Sequence, residues 1–405
     1  MSALRGIRVL DLTFFQQGPS AAALLGAMGA DVIKIEQPGV GDPGRGVMTG
    51  YSSIHGTPTD QRNFYFEAYN RNKRGMTLNL SRDEGRGILC RLVQTSDVFV
   101  HNLRQQAVAK LGITYEALRC YNPQLIYASA SGYGPQGEDA DLPCLDPAAL
   151  ARSGFLSAVS DPGKPPAFFG MGVSDQVGAL TLANGILMAL VARERQGIGQ
   201  EIAASLLGGM IWVQCSPLSY TLTTGLEREY HDRRKANNPL FNSYQCSDGH
   251  WLLLAGMQAD RIWPHICEAL DITHLQNHPD YRDTASRNRH KEVVIGTLDH
   301  VFAGRTRQDW LQRFRLYGDI ICAPIQTPAE VTRDRQVVQN GYVMEYDHPS
   351  YGSSRVIGYP IHASKTPLAI HRPEPEFGQH TEEILIDIGG YTWEELERFR
   401  ETGVI

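Results

Sequence analysis

The sequence predicts an α/β protein whose first half is Rossmann-like. Two observations predict it: short apolar runs alternate with helical patterns through the first half, the mark of βαβ units and a parallel sheet covered on both faces. The second is a change of character after Thr224 that is reversed near Gly318, so the 405 residues divide into more than one domain, as a length prior of about 150 residues per domain allows.

Ile7 to Leu12 (IRVLDL) reads as the first strand. Gly18-Pro19 then opens a helix of small residues, Ser20 to Met28, with Pro19 in the first turn, where its missing N–H is not needed, and Gly29 ends it. Asp31 to Glu36 is the second strand, Met76 to Leu80 the third, Glu84 to Gln94 a helix, Val98 to Asn102 the fourth strand and Leu125 to Ala128 the fifth. From Gln176 the apolar positions Val177, Leu180, Ala183, Leu187 and Leu190 recur at helical spacing until the Gly197 and Gly199 turn, and a second strand-to-helix passage follows. A polar run, Glu227 to Pro239, leads into a segment that holds most of the histidines together with Trp251, Trp263 and Trp310. The expected domains are therefore 1–224, 225–318 and a return at 319–405. The last part carries strand patterns at Ala323 to Gln326 and Tyr342 to Tyr346 and ends in a helix, Thr392 to Thr402, opened by a capping box between Thr392 and Glu395.

Composition excludes whole classes. Apolar residues at 42% and charged residues at 20% are those of an ordinary globular chain rather than a fibrous or disordered one. The formal charge of −6 argues against a general nucleic-acid partner and leaves room only for a local basic groove that takes a small polyanion. Cys90, Cys120, Cys144, Cys215, Cys246, Cys267 and Cys322 include no C-x-x-C pair, which disfavours zinc and redox chemistry and fits a reduced cytoplasm. No basic leader with an apolar core precedes the first strand. The apolar stretch Ala179 to Ala192 is shorter than the ~20 residues that span a bilayer and is expected to be a buried helix. His274 and His278 stand four apart, but Pro279 follows and no H-E-x-x-H is present, so no metal site is expected.

The loop after the first strand, Phe14-Phe15-Gln16-Gln17-Gly18-Pro19, lacks the G-x-G-x-x-G that lets backbone amides approach a pyrophosphate. Walker and G-x-S-x-G motifs are missing as well. Asp175 lies in Gly172-Val173-Ser174-Asp175-Gln176, where a loop enters the long apolar helix. A carboxylate there should receive backbone N–H groups and the positive end of the helix dipole and stay ionised; from position alone, a plain N-cap is the favoured reading. Lys73, Arg74, Arg104 and Lys110, with Asn102 and Tyr133, stand near strand ends, where an open α/β sheet binds ligands. Together they suit a phosphate-bearing ligand, although each alone is also an ordinary solvated side chain.

At these residues the chain resembles the class III CoA-transferases, the family of formyl-CoA:oxalate and carnitine CoA-transferases that also includes the α-methylacyl-CoA racemases. The resemblance is carried by Leu4 to Thr13, Gly29 to Asp42, Asn70 to Leu80 (NRNKRGMTLNL), Asn122 to Gly137, the SDQVGA stretch from Ser174, Arg193 to Gln200 and Gly378 to Leu385, in that order. It implies a Rossmann-like large domain built from both chain ends, a smaller inserted α+β domain, and an interlocked dimer, whether a homodimer or a heterodimer with a related subunit. It places the nucleophilic aspartate on Asp175 and puts Gln16 beside the reacting thioester. Asn102, Leu103, Arg104, Lys110, Leu111, Ser131 and Tyr133 would line the CoA channel, with Lys73 and Arg74 near its nucleotide end. Gln37 takes the place of the usual arginine after the second strand. CoA would be the substrate carrier, with no permanently bound cofactor, no metal, and neither nucleic acid nor membrane as partner.

The resemblance also has departures. Cys144-Leu145-Asp146 stands where the racemases carry G-H-D, so one proton-transfer group is missing. No tetraglycine run is present, and Asn102-Leu103-Arg104-Gln105-Gln106 replaces N-F-R-P-G. Phe14, Phe15 and Leu145 near the expected site favour a bulky or apolar carboxylic acid over formate or oxalate. The chain is therefore expected to be an acyl-CoA:carboxylate CoA-transferase working through aspartyl anhydride and aspartyl-CoA thioester intermediates. An isomerase of the same fold and a CoA-binding subunit of a heteromeric transferase are the alternatives.

Overall fold

In the computed structural model the described residues are 2–46, 62–161, 163–168, 172–227, 231–317 and 320–405. The apolar runs of the first half become six parallel strands, β1 (Arg8–Leu12), β2 (Asp31–Glu36), β3 (Lys73–Thr77), β4 (Val98–His101), β5 (Ile126–Ser131) and β6 (Gln200–Ser205). Their order is β3-β2-β1-β4-β5-β6. In this doubly wound arrangement the winding reverses between β1 and β4, so the loops leaving their carboxyl ends diverge and open a crevice.

Both faces of the sheet are covered, and adjacent strand residues feed different cores. Val9, Val32, Val98, Val100 and Ile126 pack with Ala21, Ala22 and Leu25 of the helix Gln17–Ala27 and with Leu182 and Ile186 of the helix Val173–Gln196. Leu10, Ile33, Phe99 and Tyr127 pack on the other side with Ile88, Leu89 and Leu92 of the helix Asp83–Val93. The alanines of the first helix let it lie close against both the sheet and the long helix.

The third strand lies earlier than the expected Met76 to Leu80. Lys73 and Arg74 do not read as strand residues, yet both charges are neutralised inside the fold, Lys73 by Asp11 and Arg74 by Asp31 and Glu383. The long helix also departs from expectation. Only one side is buried: Ala179, Ala183 and Ala189 pack inward, whereas Leu180, Met188 and Val191 are exposed. Its 24 residues and apolar composition match those of a membrane span, but the buried side is built into the sheet core.

One compact unit comprises Met1–Arg228 and Gly341–Ile405, the other Glu229–Asn340. In the first, the C-terminal helices Thr381–Asp387 and Trp393–Glu401 bring Ile384, Leu385, Leu396 and Phe399 into the core of Leu10. They cover the open edge of β3: Thr77 N donates to Thr381 Oγ1 at 3.0 Å and Gly75 N to His380 Nδ1 at 3.1 Å. Both halves of the Thr392–Glu395 capping box are formed.

The second unit is an antiparallel sheet, β7 (Phe241–Gln245), β8 (Trp251–Ala255) and β9 (Cys322–Ile325), with helices packed around Trp263, Trp310, Phe302 and Tyr244. The expected return at Gly318 lies outside the described residues, and the chain rejoins the first unit only at Gly341. Because β9 pairs with β8, residues 322–325 close this smaller sheet instead of starting the return. A hairpin of β10 (Val343–His348) and β11 (Gly352–Ile357) follows in the first unit.

Candidate active site

The crevice predicted by the strand order is a cleft of ≈ 870 Å³. The loop after β1, the loop after β4, the end of β5, the segment Leu142–Leu145 and Asp175 form its walls. All of these belong to the first unit.

The loop after β1 is held without phosphate-binding glycines. Asn102 clamps Phe14 from across the crevice, its Oδ1 accepting from Phe14 N at 3.1 Å and its Nδ2 donating to Phe14 O at 2.8 Å. Phe15 is left-handed at φ 64°, and its N–H donates to Asp42 Oδ1 at 3.1 Å. This turn delivers Gln16 to the start of the helix Gln17–Ala27, where its Nε2 donates to Gly172 O at 3.3 Å. Gly172 is required here twice over: its φ is +68°, and a Cβ would lie 2.2 Å from Gln16 Nε2.

Asp175 is in the first turn of the long helix, and the N-cap position belongs to Gly172. The N–H groups expected to reach Asp175 go to a different carboxylate. Asp146 Oδ1 accepts from Ser174 N at 2.7 Å, from Ser174 Oγ at 2.7 Å and from Asp175 N at 3.3 Å, while its Oδ2 accepts from Gly172 N at 3.2 Å. The Asp175 side chain accepts no hydrogen bond among the described residues. Burial, reinforced by the Asp146 charge, pushes its carboxyl up to about 7. The expectation that Asp175 stays ionised well below neutrality is therefore corrected: desolvation and a like charge outweigh the helix dipole. A carboxyl poised near neutrality, desolvated and unbonded, is suited to nucleophilic or proton-transfer chemistry.

The remaining expected residues divide between two clefts. Gln16, Asn102, Leu103, Arg104, Ser131 and Asp175 line the first. Gln37, Leu103 and Leu111 line a second, of ≈ 310 Å³, at the carboxyl ends of β1 and β2, and Phe14 and Leu103 belong to both. Arg104 is exposed and makes no side-chain hydrogen bond or ion pair among the described residues. Lys110 is exposed and lines neither cleft, and Tyr133 lies under the Arg152 guanidinium at 4.8 Å, also outside both.

Lys73 and Arg74, expected near the nucleotide end, are not brought to either cleft. Lys73 Nζ is fully buried and donates to Asp11 Oδ2 at 2.7 Å, Pro19 O at 2.9 Å and Asn70 Oδ1 at 2.9 Å. Arg74 is forked onto Asp31 and donates to Glu383. With every donor direction of Lys73 used inside the fold, it has none left for a ligand.

Sequence reasoning missed three residues. Asp146 appeared only as part of a departure; Asp146-Pro147 at a helix start was the available signal. His101, the last residue of β4, lines the cleft with both ring nitrogens unpartnered, and burial lowers it to about 4, so it is neutral. Gln17 also lines the cleft, and its Nε2 is buried without a partner.

Residues 4–381 match the profile of CoA-transferase family III. The chain is 30% identical to the (R)-2-hydroxy-4-methylpentanoate CoA-transferase of Clostridioides difficile, over 99% of each chain. It is also 30% identical to a formyl-CoA:oxalate CoA-transferase of Rhodopseudomonas palustris (strain HaA2), covering 100% of this chain and 97% of that one. Among solved structures, a CaiB/BaiF family protein from Brucella suis superimposes with a TM-score of 0.80 at 26% identity, over 96% of this chain and 99% of that one.

Proposed function

We propose, from the premise that the chain belongs to CoA-transferase family III, that it transfers CoA between carboxylic acids by a ping-pong route with Asp175 as the nucleophile. In the first half-reaction the Asp175 carboxylate attacks the thioester carbonyl of an acyl-CoA, forming a mixed anhydride and releasing the CoA thiolate. The thiolate then attacks the aspartyl carbonyl, which frees the donor acid and leaves an aspartyl-CoA thioester. An acceptor carboxylate reverses the two steps. Charge develops on each carbonyl oxygen in turn, and the Gln16 amide is the donor assigned to it.

The observation that carries this reading is the isolation of the Asp175 carboxyl. It lines the crevice, receives no hydrogen bond among the described residues, and is pushed up to about 7 by burial and by the Asp146 charge, while Asp146 holds the helix N–H groups. The two adjoining clefts support a CoA that enters past Gln37, Leu103 and Leu111 and reaches Asp175 past Asn102 and Ser131. Arg104 and Lys110 are the cations assigned to its phosphates, Arg104 the stronger because it borders the cleft. Tyr133 is left a supporting position beside Cys144 and Arg152.

For the acid, the cleft wall favours a hydrocarbon body. Phe14, Phe15, Leu142 and Leu145 contribute to it, and Leu145 is 65% exposed. An apolar acid gains about 25 cal/mol per Å² of surface buried there, while a second carboxylate without a partner is penalised. One relative is named for the branched (R)-2-hydroxy-4-methylpentanoate and another for oxalate, and the wall resembles what the branched acid needs. Leu145 supplies no base, which disfavours the racemase alternative. A homodimer fits the exposed apolar side chains Leu180, Met188, Trp212 and Leu222, since a monomer rarely leaves so much apolar surface to water. Seven free cysteines agree with a cytoplasmic setting.

The test is a panel of acyl-CoA donors and carboxylate acceptors read by mass spectrometry, with Asp175→Ala alongside. Branched or aromatic acids should exceed oxalate and formate, and Asp175→Ala should lose at least about a thousandfold in activity. Efficient formyl-CoA:oxalate exchange above every bulky pair overturns the substrate class; an active Asp175→Ala overturns the nucleophile.

A further inference from the structure

We infer that Asp42 is a positioning residue for the Asp175 site: bonded to the Phe15 N–H and paired with Lys34, it holds the loop after β1 in the left-handed turn that places Gln16 over Gly172. The inference rests on the function proposed above only for its catalytic consequence.

The geometry is a chain of contacts behind the Asp175 cleft, in which Thr13 and Asp42 also border the second cleft. Asp42 Oδ1 accepts from Phe15 N at 3.1 Å and from Gly44 N at 2.7 Å. Its Oδ2 accepts from Lys34 Nζ at 2.7 Å, and the same Nζ donates to Thr13 O at 2.9 Å. Thr13 N in turn donates to Asp11 Oδ1 at 3.1 Å, and Asp11 Oδ2 is held by Lys73. The carboxylate of Asp42 is itself aimed by its backbone, because Asp42 N donates to Glu36 Oε1 at 2.8 Å and Glu36 is forked by Arg45. Residues 13 to 15 are thus fixed from the interior by buried groups of alternating charge, with Asn102 holding Phe14 from the opposite side.

Burial of this cluster is almost complete. The side chains of Lys34 and Asp42 are 0% and 1% exposed, and those of Lys73 and Asp11 are both 0%. Buried pairs of this kind are a weak source of net stability, since apolar residues of similar volume commonly replace them without loss, and their best-attested use is to select one conformation. Here there is a conformation to select: Phe15 is one of three described non-glycine residues with positive φ, a region disfavoured for a side chain carrying a Cβ. Released from Asp42, Phe15 would return to negative φ and carry the Gln16 amide away from Gly172. With both carboxylate oxygens bonded inside the fold at 1% exposure, Asp42 acts through Phe15.

Asp42→Ala removes both the acceptor and the charge; Asp42→Asn keeps an acceptor for Phe15 N and removes the charge. Amide hydrogen exchange of the peptide spanning Thr13–Gln17 should quicken strongly in Asp42→Ala and weakly in Asp42→Asn, with peptides of β4 and β5 unchanged. In acyl-CoA:acid exchange, kcat should fall about a hundredfold in Asp42→Ala and about tenfold in Asp42→Asn, with KM for acyl-CoA within about threefold of the starting protein, as expected for a misplaced reacting geometry. Should Asp42→Ala fail to fold, the Lys34→Met/Asp42→Asn double variant replaces the ion pair by neutral groups and should reproduce the exchange and kcat of Asp42→Asn. Unchanged exchange in the Thr13–Gln17 peptide of a folded variant overturns the inference, as does a loss confined to KM. If the starting protein transfers no CoA, the function fails while the exchange measurement still decides the role of Asp42.

Discussion

Two carboxylates meet at the start of one helix, and the one that takes the backbone donors leaves the other without a hydrogen bond among the described residues. Asp146 accepts from three backbone N–H groups and one hydroxyl, and burial, reinforced by the Asp146 charge, pushes the Asp175 carboxyl up to about 7. The sign of the stability effect follows. With the folded pKa raised from the ordinary 3.8, the Asp175 contribution is fully present below 3.8 and is lost as the pH rises through about 7. Asp175→Asn, which cannot ionise, should therefore match the parent in thermal stability near pH 4 and exceed it near pH 8, by a few kcal/mol at most. Equal stabilities at both pH values would contradict the raised pKa. The position of Asp175 was legible in the sequence, because a lone acidic residue opens a long apolar helix. Its ionisation was not: the competing carboxylate lies 29 residues earlier and meets the helix only through tertiary packing. The pairing of Lys73 and Arg74 was hidden for the same reason, since nothing local shows that Asp11 and Asp31 will take their charges.

At the scale of elements, the site is two chain turns pressed together. The loop after β1 bends through Phe15 and the loop before the long helix bends through Gly172, both with positive φ, and the Gln16 amide fills the contact. Gly172→Ala should lower kcat by about ten- to a hundredfold, because the added methyl displaces Gln16, while leaving acyl-CoA binding by calorimetry near its original value. A normal kcat in a folded Gly172→Ala protein would show that the Gln16 placement is dispensable. The strands β1, β2 and β4 and the capping box at Thr392 were readable because their signals are local: apolar runs, a helix-ending glycine and a Thr–Glu spacing. β9 was misassigned because its partner β8 lies far back in the chain, and a four-residue strand carries no mark of which sheet it joins.

For the molecule as a whole, the strand order decides where chemistry can occur. Winding that reverses between β1 and β4 opens a crevice, and the residues that line it, Gln16, Asn102, Ser131 and Asp175, come from four separate stretches of the chain. Their convergence was legible only through resemblance to a family; periodicity alone gave the Rossmann-like half and stopped there. The proposed route passes oxygen between the substrate and the protein. When an acceptor carboxylate attacks the aspartyl-CoA thioester, the anhydride oxygen comes from the acceptor and stays on the aspartate after CoA departs. Turnover of a bulky acceptor acid carrying heavy oxygen in its carboxylate, followed by peptide mass spectrometry, should therefore find heavy oxygen in the side chain of Asp175 and in no other residue. Product CoA thioester formed in full with an unlabelled Asp175, or with label on a different side chain, would contradict Asp175 as the nucleophile.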